Sequence, residues 1–214
     1  MKNKAVFLDR DGTINTEKDY LYLKEDFEFL PGAIEGLNIL QAAGYLLIVI
    51  TNQSGIARGY YTEKDFQKLN KWMLEKLHKE GIMISKVYYC PHLPSAKIGR
   101  YRCICNCRKP KLGMYEKAVR DFNLDVNKCI TIGDKIRDCS ICLSSKCKGF
   151  LVENNEKKRI LSAVISGAYE NIKYEKSLYH AALSIQESNN LEKNYFCKRV
   201  GQSIVSVDAP ESCS

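Results

Sequence analysis

Residues 5–13, Ala5-Val6-Phe7-Leu8-Asp9-Arg10-Asp11-Gly12-Thr13, set an unbroken apolar run directly against two carboxylates. An apolar run without alternation is what a strand buried on both faces needs, and such strands belong to parallel sheets. On extended backbone, residues two apart face the same way, so Asp9 and Asp11 project together from the strand end. Gly12 then lets the chain turn. In open parallel sheets, ligands bind outside the carboxyl ends of the strands. There Asp9 can attack phosphorus and carry a covalent intermediate. Asp11 can protonate the leaving oxygen and then deprotonate water. An acidic turn alone would spell the same letters, so the reading depends on what the other strand ends supply.

Downstream, strand-like and helix-like segments alternate. Ile34, Leu37 and Leu40 mark a helix over 33–43, closed by Gly44, and Tyr45 to Ile50 is a second apolar strand. Thr62 opens a longer helix with Asp65 as its capping partner, and Phe66, Leu69, Met73 and Leu77 form the apolar stripe. Trp72 on this helix reads as packing. A strand at 87–89, a helix at 112–122, a strand at 128–132, a helix at about 137–146 and a strand at 149–152 complete the unit. This order predicts an α/β fold, a parallel sheet with helices on both faces. Beyond Glu153 the periodicity weakens. Helices over 157–166 and 175–187 are expected, then a flexible C-terminal tail over 188–214, leaving 1–187 as one domain.

The other strand ends do supply partners. The second ends in Thr51-Asn52-Gln53, a hydroxyl and backbone N–H groups able to hold a phosphoryl oxygen. The fourth runs into Gly133-Asp134 with Asp138 four residues on, and carboxylates suit Mg²⁺. Between them, Lys109 in Arg108-Lys109-Pro110 can neutralise both the nucleophile and the transferred phosphoryl group. On these motifs, in this order over about residues 4–152, the sequence resembles the haloacid dehalogenase superfamily. The resemblance implies a Rossmann-like three-layer core and an aspartyl-phosphate mechanism. It implies Asp9 as nucleophile and metal ligand, and Asp11 as acid/base, binding metal through its carbonyl. Thr51 would hold phosphate, Lys109 would steady the intermediate, and Asp134 would complete the Mg²⁺ site.

Cys90-Pro91-His92 and Cys105-Asn106-Cys107 place three thiols and an imidazole in two short pairs, a donor set for a structural tetrahedral Zn²⁺. Cys103 competes with Cys105 as a ligand. Within the superfamily this loop, residues 90–107, resembles the subfamily of histidinol-phosphate and heptose-bisphosphate phosphatases, which carries no large cap domain. The twelve residues between His92 and Cys105 are similar to the longer loop of the heptose-bisphosphate branch. That resemblance implies removal of the 7-phosphate from a heptose 1,7-bisphosphate, with histidinol phosphate as the alternative substrate. It places Asn52, Gln53 and Arg58 near the substrate and has Arg108 reach its sugar or second phosphate. The zinc loop and the Ser54 to Tyr61 loop are expected to cover the site. A phospho-aspartate receiver module combines similar residues with Mg²⁺, but Asp11, two residues after Asp9, argues for hydrolysis.

The chain of 214 residues has a formal charge of +8. From Glu153 onward eight basic residues face eight acidic ones, so the excess lies in residues 1–152. Lys97, Arg100, Arg102, Arg108, Lys109 and Lys111 follow one another with no acidic residue between, a patch that attracts anions. No interleaved aromatics or known module point to nucleic acid, and no apolar stretch is long enough to span a bilayer. The N-terminus reaches the charged motif within nine residues, too few for a secretory leader. A small anionic phosphorylated sugar is therefore the expected partner, without nucleic acid or membrane, of a monomer in the cytoplasm. In that reducing compartment the ten cysteines are better metal than disulfide candidates.

Overall fold

The computed structural model describes residues 2–153, 164 and 169–202. Strands β1 (Ala5–Leu8), β2 (Leu46–Asn52), β3 (Ile84–Cys90), β4 (Ile130–Gly133), β5 (Lys148–Val152) and β6 (Ile172–Glu175) form one sheet. Its order is β3-β2-β1-β4-β5-β6, and every pairing is parallel. The apolar run of β1 serves two cores at once. Val6 and Leu8 face α1 (Ala33–Ala42), α3 (Glu63–Lys79) and α5 (Leu178–Gln202) through Leu37, Leu40, Met73 and Ala181. Ala5 and Phe7 face α4 (Gly113–Asp121) through Met114, Tyr115 and Ala118.

From β1 the chain moves one way to β2 and β3, and later the other way to β4, β5 and β6. That reversal opens a crevice at the carboxyl ends of β1 and β4, the place where doubly wound sheets bind ligands. Asp9 follows β1 and Asp134 follows β4, so the fold delivers both carboxylates to the same crevice.

Local expectations hold at α3. Thr62 Oγ1 accepts from the Asp65 N–H at 3.2 Å, and Asp65 Oδ2 accepts from the Thr62 N–H at 3.0 Å. Trp72 packs edge-on to Phe27, with centroids 5.4 Å apart. Elsewhere the structure departs from expectation. The segment expected as a helix over 137–146 is a 3-10 helix, Ile136–Leu143. Its start is tightened because the Lys135 N–H donates to Asp138 Oδ2 at 2.9 Å. The loop after Gln53 contains α2 (Ser54–Arg58), too short to leave a periodic signal. Strand β6 precedes the last helix, which starts at Leu178 rather than 175. That helix crosses the expected boundary at 187/188 and continues to Gln202, docked on α1 by Leu178, Ala181, Ala182 and Ile185 at helical spacing. The helix expected over 157–166, apart from Val164, and the tail from residue 203 lie outside the described residues. Among the described residues, no helix is long and apolar enough to cross a membrane.

Candidate active site

Lys109 is the hub of the crevice. Its Nζ lies 2.8 Å from Asp9 Oδ1 and 2.7 Å from Asp138 Oδ1, and it donates to the Ile50 carbonyl at 2.6 Å. Only 2% of Lys109 is exposed. Burial alone would discharge the ammonium, but the charges of Asp138 and Asp9 hold its pKa above the ordinary value. Burial pushes the Asp9 carboxyl up; Lys109 opposes this and Asp138 adds to it, with a net upward shift. One cation therefore serves two buried carboxylates. Asp134 lies beside them because Gly12, with φ of +83°, has no Cβ; one there would stand 2.7 Å from Asp134 Oδ2.

Asp9, Asp134 and Asp138 each offer a carboxylate oxygen within 4.8 Å of the others. An all-oxygen, anionic donor set fits Mg²⁺. Burial first, and the Asp138 charge after it, push the Asp9 carboxyl up, and a divalent cation there would favour its ionised form. Asp138 thus stands beside Asp9 and Asp134 in a carboxylate group able to hold a metal, where the sequence names Asp9, Asp11 and Asp134.

The Asp11 side chain turns away from this group. Arg10 donates to it from Nε at 3.0 Å and from Nη2 at 2.9 Å, Asn15 Nδ2 at 3.0 Å and Gln53 Nε2 at 3.0 Å. Gln53 also donates to Thr51 Oγ1 at 2.9 Å, and its Oε1 accepts from the Tyr61 hydroxyl at 2.5 Å. Gln53 is therefore a buried connector between Thr51, Asp11 and Tyr61 rather than a group free to meet substrate. Asn52 is similarly committed. Its Nδ2 donates to the Lys109 carbonyl at 3.1 Å, and its Oδ1 accepts from the Lys109 N–H at 3.0 Å. Asn52→Ala is expected to destabilise the fold by about 2 kcal/mol, two hydrogen bonds' worth. It should also lower turnover, because it loosens the segment that presents Lys109. A urea melt and an initial-rate assay read the two effects.

The cysteine loop closes a second group. Cys90 Sγ lies 3.5 Å from Cys105 Sγ and 3.2 Å from Cys107 Sγ, and Cys105 and Cys107 are 3.2 Å apart. His92 Nδ1 faces them, 3.3 Å from Cys107 and 3.8 Å from Cys90. These are not disulfide separations; they approach the edges of a zinc-sized tetrahedron, about 3.5–3.8 Å for Zn–S and Zn–N bonds of normal length. Cys105 takes the position, whereas Cys103 is exposed and stands outside the group. The loop is also tied to the segment that carries Lys109, since Arg108 Nη1 donates to the His92 carbonyl at 3.3 Å. Burial pushes the Arg108 guanidinium below its ordinary value, and nearby Arg137 and Arg58 push it the same way. The Nε atoms of Arg58 and Arg137 are buried and make no hydrogen bond among the described residues. Three crowded guanidinium groups make a place for an anion.

The family model described as polynucleotide kinase 3 phosphatase matches residues 4–158. The D-glycero-beta-D-manno-heptose-1,7-bisphosphate 7-phosphatase of Haemophilus ducreyi is 48% identical over 139 residues, 64% of this chain and 76% of that protein. The alpha-anomer enzyme of Campylobacter jejuni is 48% identical over 158 residues, 74% of this chain and 87% of that protein. The crystal structure of D,D-heptose 1,7-bisphosphate phosphatase from B. bronchiseptica, complexed with magnesium and phosphate, matches with a TM-score of 0.73. The two are 27% identical, and the match covers 86% of this chain and 99% of that one. The chain belongs to the haloacid dehalogenase superfamily, among its heptose bisphosphate phosphatases.

As in a superfamily member without a large cap, the crevice is walled by loops. A cavity of ≈ 520 Å³ opens above Asp9, Asp11, Thr51, Lys109 and Asp134. Five of the polar groups around these residues were not singled out from the sequence: Arg10, Glu17, Tyr61, Lys135 and Arg137. Lys135 Nζ bridges Glu17 Oε2 at 2.8 Å and Asp134 Oδ2 at 3.3 Å, and these two carboxylates hold its pKa up against burial. Arg10 carries the one signal that could have been read. A residue between two outward-facing carboxylates must point inward, and a buried arginine needs a carboxylate partner.

Proposed function

We propose that this protein is a Mg²⁺-dependent phosphatase that removes the 7-phosphate of D-glycero-D-manno-heptose 1,7-bisphosphate through an aspartyl phosphate on Asp9. The observation that carries this reading is Lys109 bound to Asp9 and Asp138 beside Asp134, at the reversal of strand order. Asp9 Oδ attacks phosphorus in line as the sugar oxygen leaves with the proton of Asp11. Asp11 then takes a proton from the water that attacks the aspartyl phosphate, and inorganic phosphate departs. Lys109 holds Asp9 in place and balances the charge gathered on the phosphoryl oxygens. The Thr51 hydroxyl, which accepts from Gln53, would meet one of those oxygens. Mg²⁺, held by Asp9, Asp134 and the Asp11 carbonyl with Asp138 nearby, would draw charge from the transferred group. Arg58, Arg108 and Arg137 would receive the second phosphate. In this reading the protein works in the cytoplasm, where a reducing setting keeps the thiols of Cys90, Cys105 and Cys107 available to a metal.

The test is phosphate release with Mg²⁺ from both anomers of the heptose bisphosphate and from histidinol phosphate. One phosphate should leave per sugar, from position 7. Faster release from histidinol phosphate, or release from position 1, would overturn the reading.

The same reading gives Zn²⁺ a structural role at Cys90, His92, Cys105 and Cys107. A closed set of four ligands leaves no open position for chemistry. Metal analysis should find one zinc per chain, and stripping it should lower Tm by about 5–10 °C. Because Arg108 hangs on the His92 carbonyl, KM for the bisphosphate should rise more than kcat falls. Unchanged Tm and KM after verified zinc removal would refute this role.

A further inference from the structure

The cavity has an aromatic side that the chemistry at phosphorus does not use. Lys18 to Leu21 form a tight turn closed by the Leu21 N–H donating to the Lys18 carbonyl at 3.1 Å. Tyr20 occupies the third position of that turn with φ of +58°. Glycine is the default residue for such left-handed backbone, and a bulky side chain there is strained. Strain of this kind persists where surrounding structure enforces it, and it concentrates at functional sites. Here the enforcement is visible: Leu21 is buried in the core and its carbonyl accepts from the buried Arg10 at 3.4 Å.

The strained residue is also exposed. Tyr20 lines the cavity yet keeps 37% of its surface open, and its ring leans on Tyr60, which is 51% exposed, at a centroid distance of 4.5 Å. Arg58 lies behind, with Cζ 5.8 Å from the Tyr20 ring centre. A conformationally costly aromatic held against a second ring tilted 50° to it, with a guanidinium nearby, offers a preorganised ring face at the mouth of a phosphate site. Tyrosine provides such surface at little loss of side-chain freedom. A sugar ring presents one face rich in C–H bonds, which suits a flat aromatic, while its hydroxyls meet the polar walls.

We propose that Tyr20, backed by Tyr60, is a specificity-determining residue that carries the C–H face of the sugar ring while the phosphate sits over Asp9. This deepens the phosphatase reading and rests on it. The readout is the ratio of kcat/KM for heptose 1,7-bisphosphate to that for acetyl phosphate, which has no ring. Tyr20→Leu should lower that ratio about tenfold, mostly through KM for the sugar. Tyr20→Phe should keep it. Tyr20→Gly should lose it as Leu does, yet melt no earlier than Tyr20→Leu because glycine accepts the backbone. A ratio retained by both Leu and Gly variants overturns the proposal, as does a Phe variant that loses as much as Leu. Wild-type protein that turns over acetyl phosphate but not the sugar overturns both this inference and the substrate reading. Turnover of neither strikes at the phosphatase reading itself.

Discussion

Asp9→Asn is expected to lower phosphate release by at least about 10⁴-fold while leaving Tm unchanged or raised. The catalytic loss follows from losing the nucleophile, so no protein-bound phosphate should form and Thr51, Gln53 and Lys109 would have nothing to assist. The stability side follows from the charge count. Burial raises Asp9, with Lys109 opposing and Asp138 adding, so on balance its surroundings disfavour the ionised carboxylate. Asparagine keeps the shape and an oxygen for Lys109, and it leaves Lys109 and Asp138, 2.7 Å apart, as a one-to-one pair. Activity sites commonly trade stability in this direction. Phosphate release, acid-quench capture of phosphoprotein and calorimetry read the three parts. If kcat stayed within tenfold of wild type, Asp9 would not be the nucleophile.

What could be read from the sequence was what is local. Residues 5–8 had to be apolar throughout because both faces of β1 are covered, and the chemistry had to come next because the crevice lies at its carboxyl end. Lys109 meets Asp9 from a hundred residues away, and only its place in a motif order singled it out. Asn52 and Gln53 were read as substrate contacts, because a strand end is where ligands bind. The structure commits both to neighbouring protein groups, a fact that lives in tertiary geometry. Arg137 sits in a segment expected as ordinary helix, and nothing in its spacing says that its charge acts on Arg108. Tyr20 looked like one tyrosine among thirteen; its backbone angle, not its identity, marks it. The last helix runs across 187/188 without a break, which the sequence did not signal because the residues that dock it, Leu178 to Ile185, lie in its first two turns.

Lys109→Met provides the complementary result, since it removes catalysis and stability together. Turnover should drop about 10³-fold, the scale of losing a preorganised charge that faces the transition state. Stability should fall by about 3–5 kcal/mol, because breaking one side of a buried ion pair leaves charges uncompensated. The deficit should depend on pH, and the sign is fixed. Without Lys109, the force that lowers Asp9 is gone and burial raises its folded pKa further above the ordinary 3.8. The folded state then holds a proton that the unfolded state releases, so relative stability is retained at low pH and lost as pH rises through the folded pKa. Melts without added Mg²⁺ should therefore separate the variant from wild type more at pH 7 than at pH 5. Adding Asp9→Asn to Lys109→Met should restore about half of the lost stability, because one of two stranded carboxylates becomes neutral, and none of the activity. That non-additivity is the mark of groups sharing one charge balance. Equal melting of Lys109→Met and wild type at pH 7 would mean that Lys109 is not what neutralises the pair, and its 1% side-chain exposure leaves water little room to do so instead.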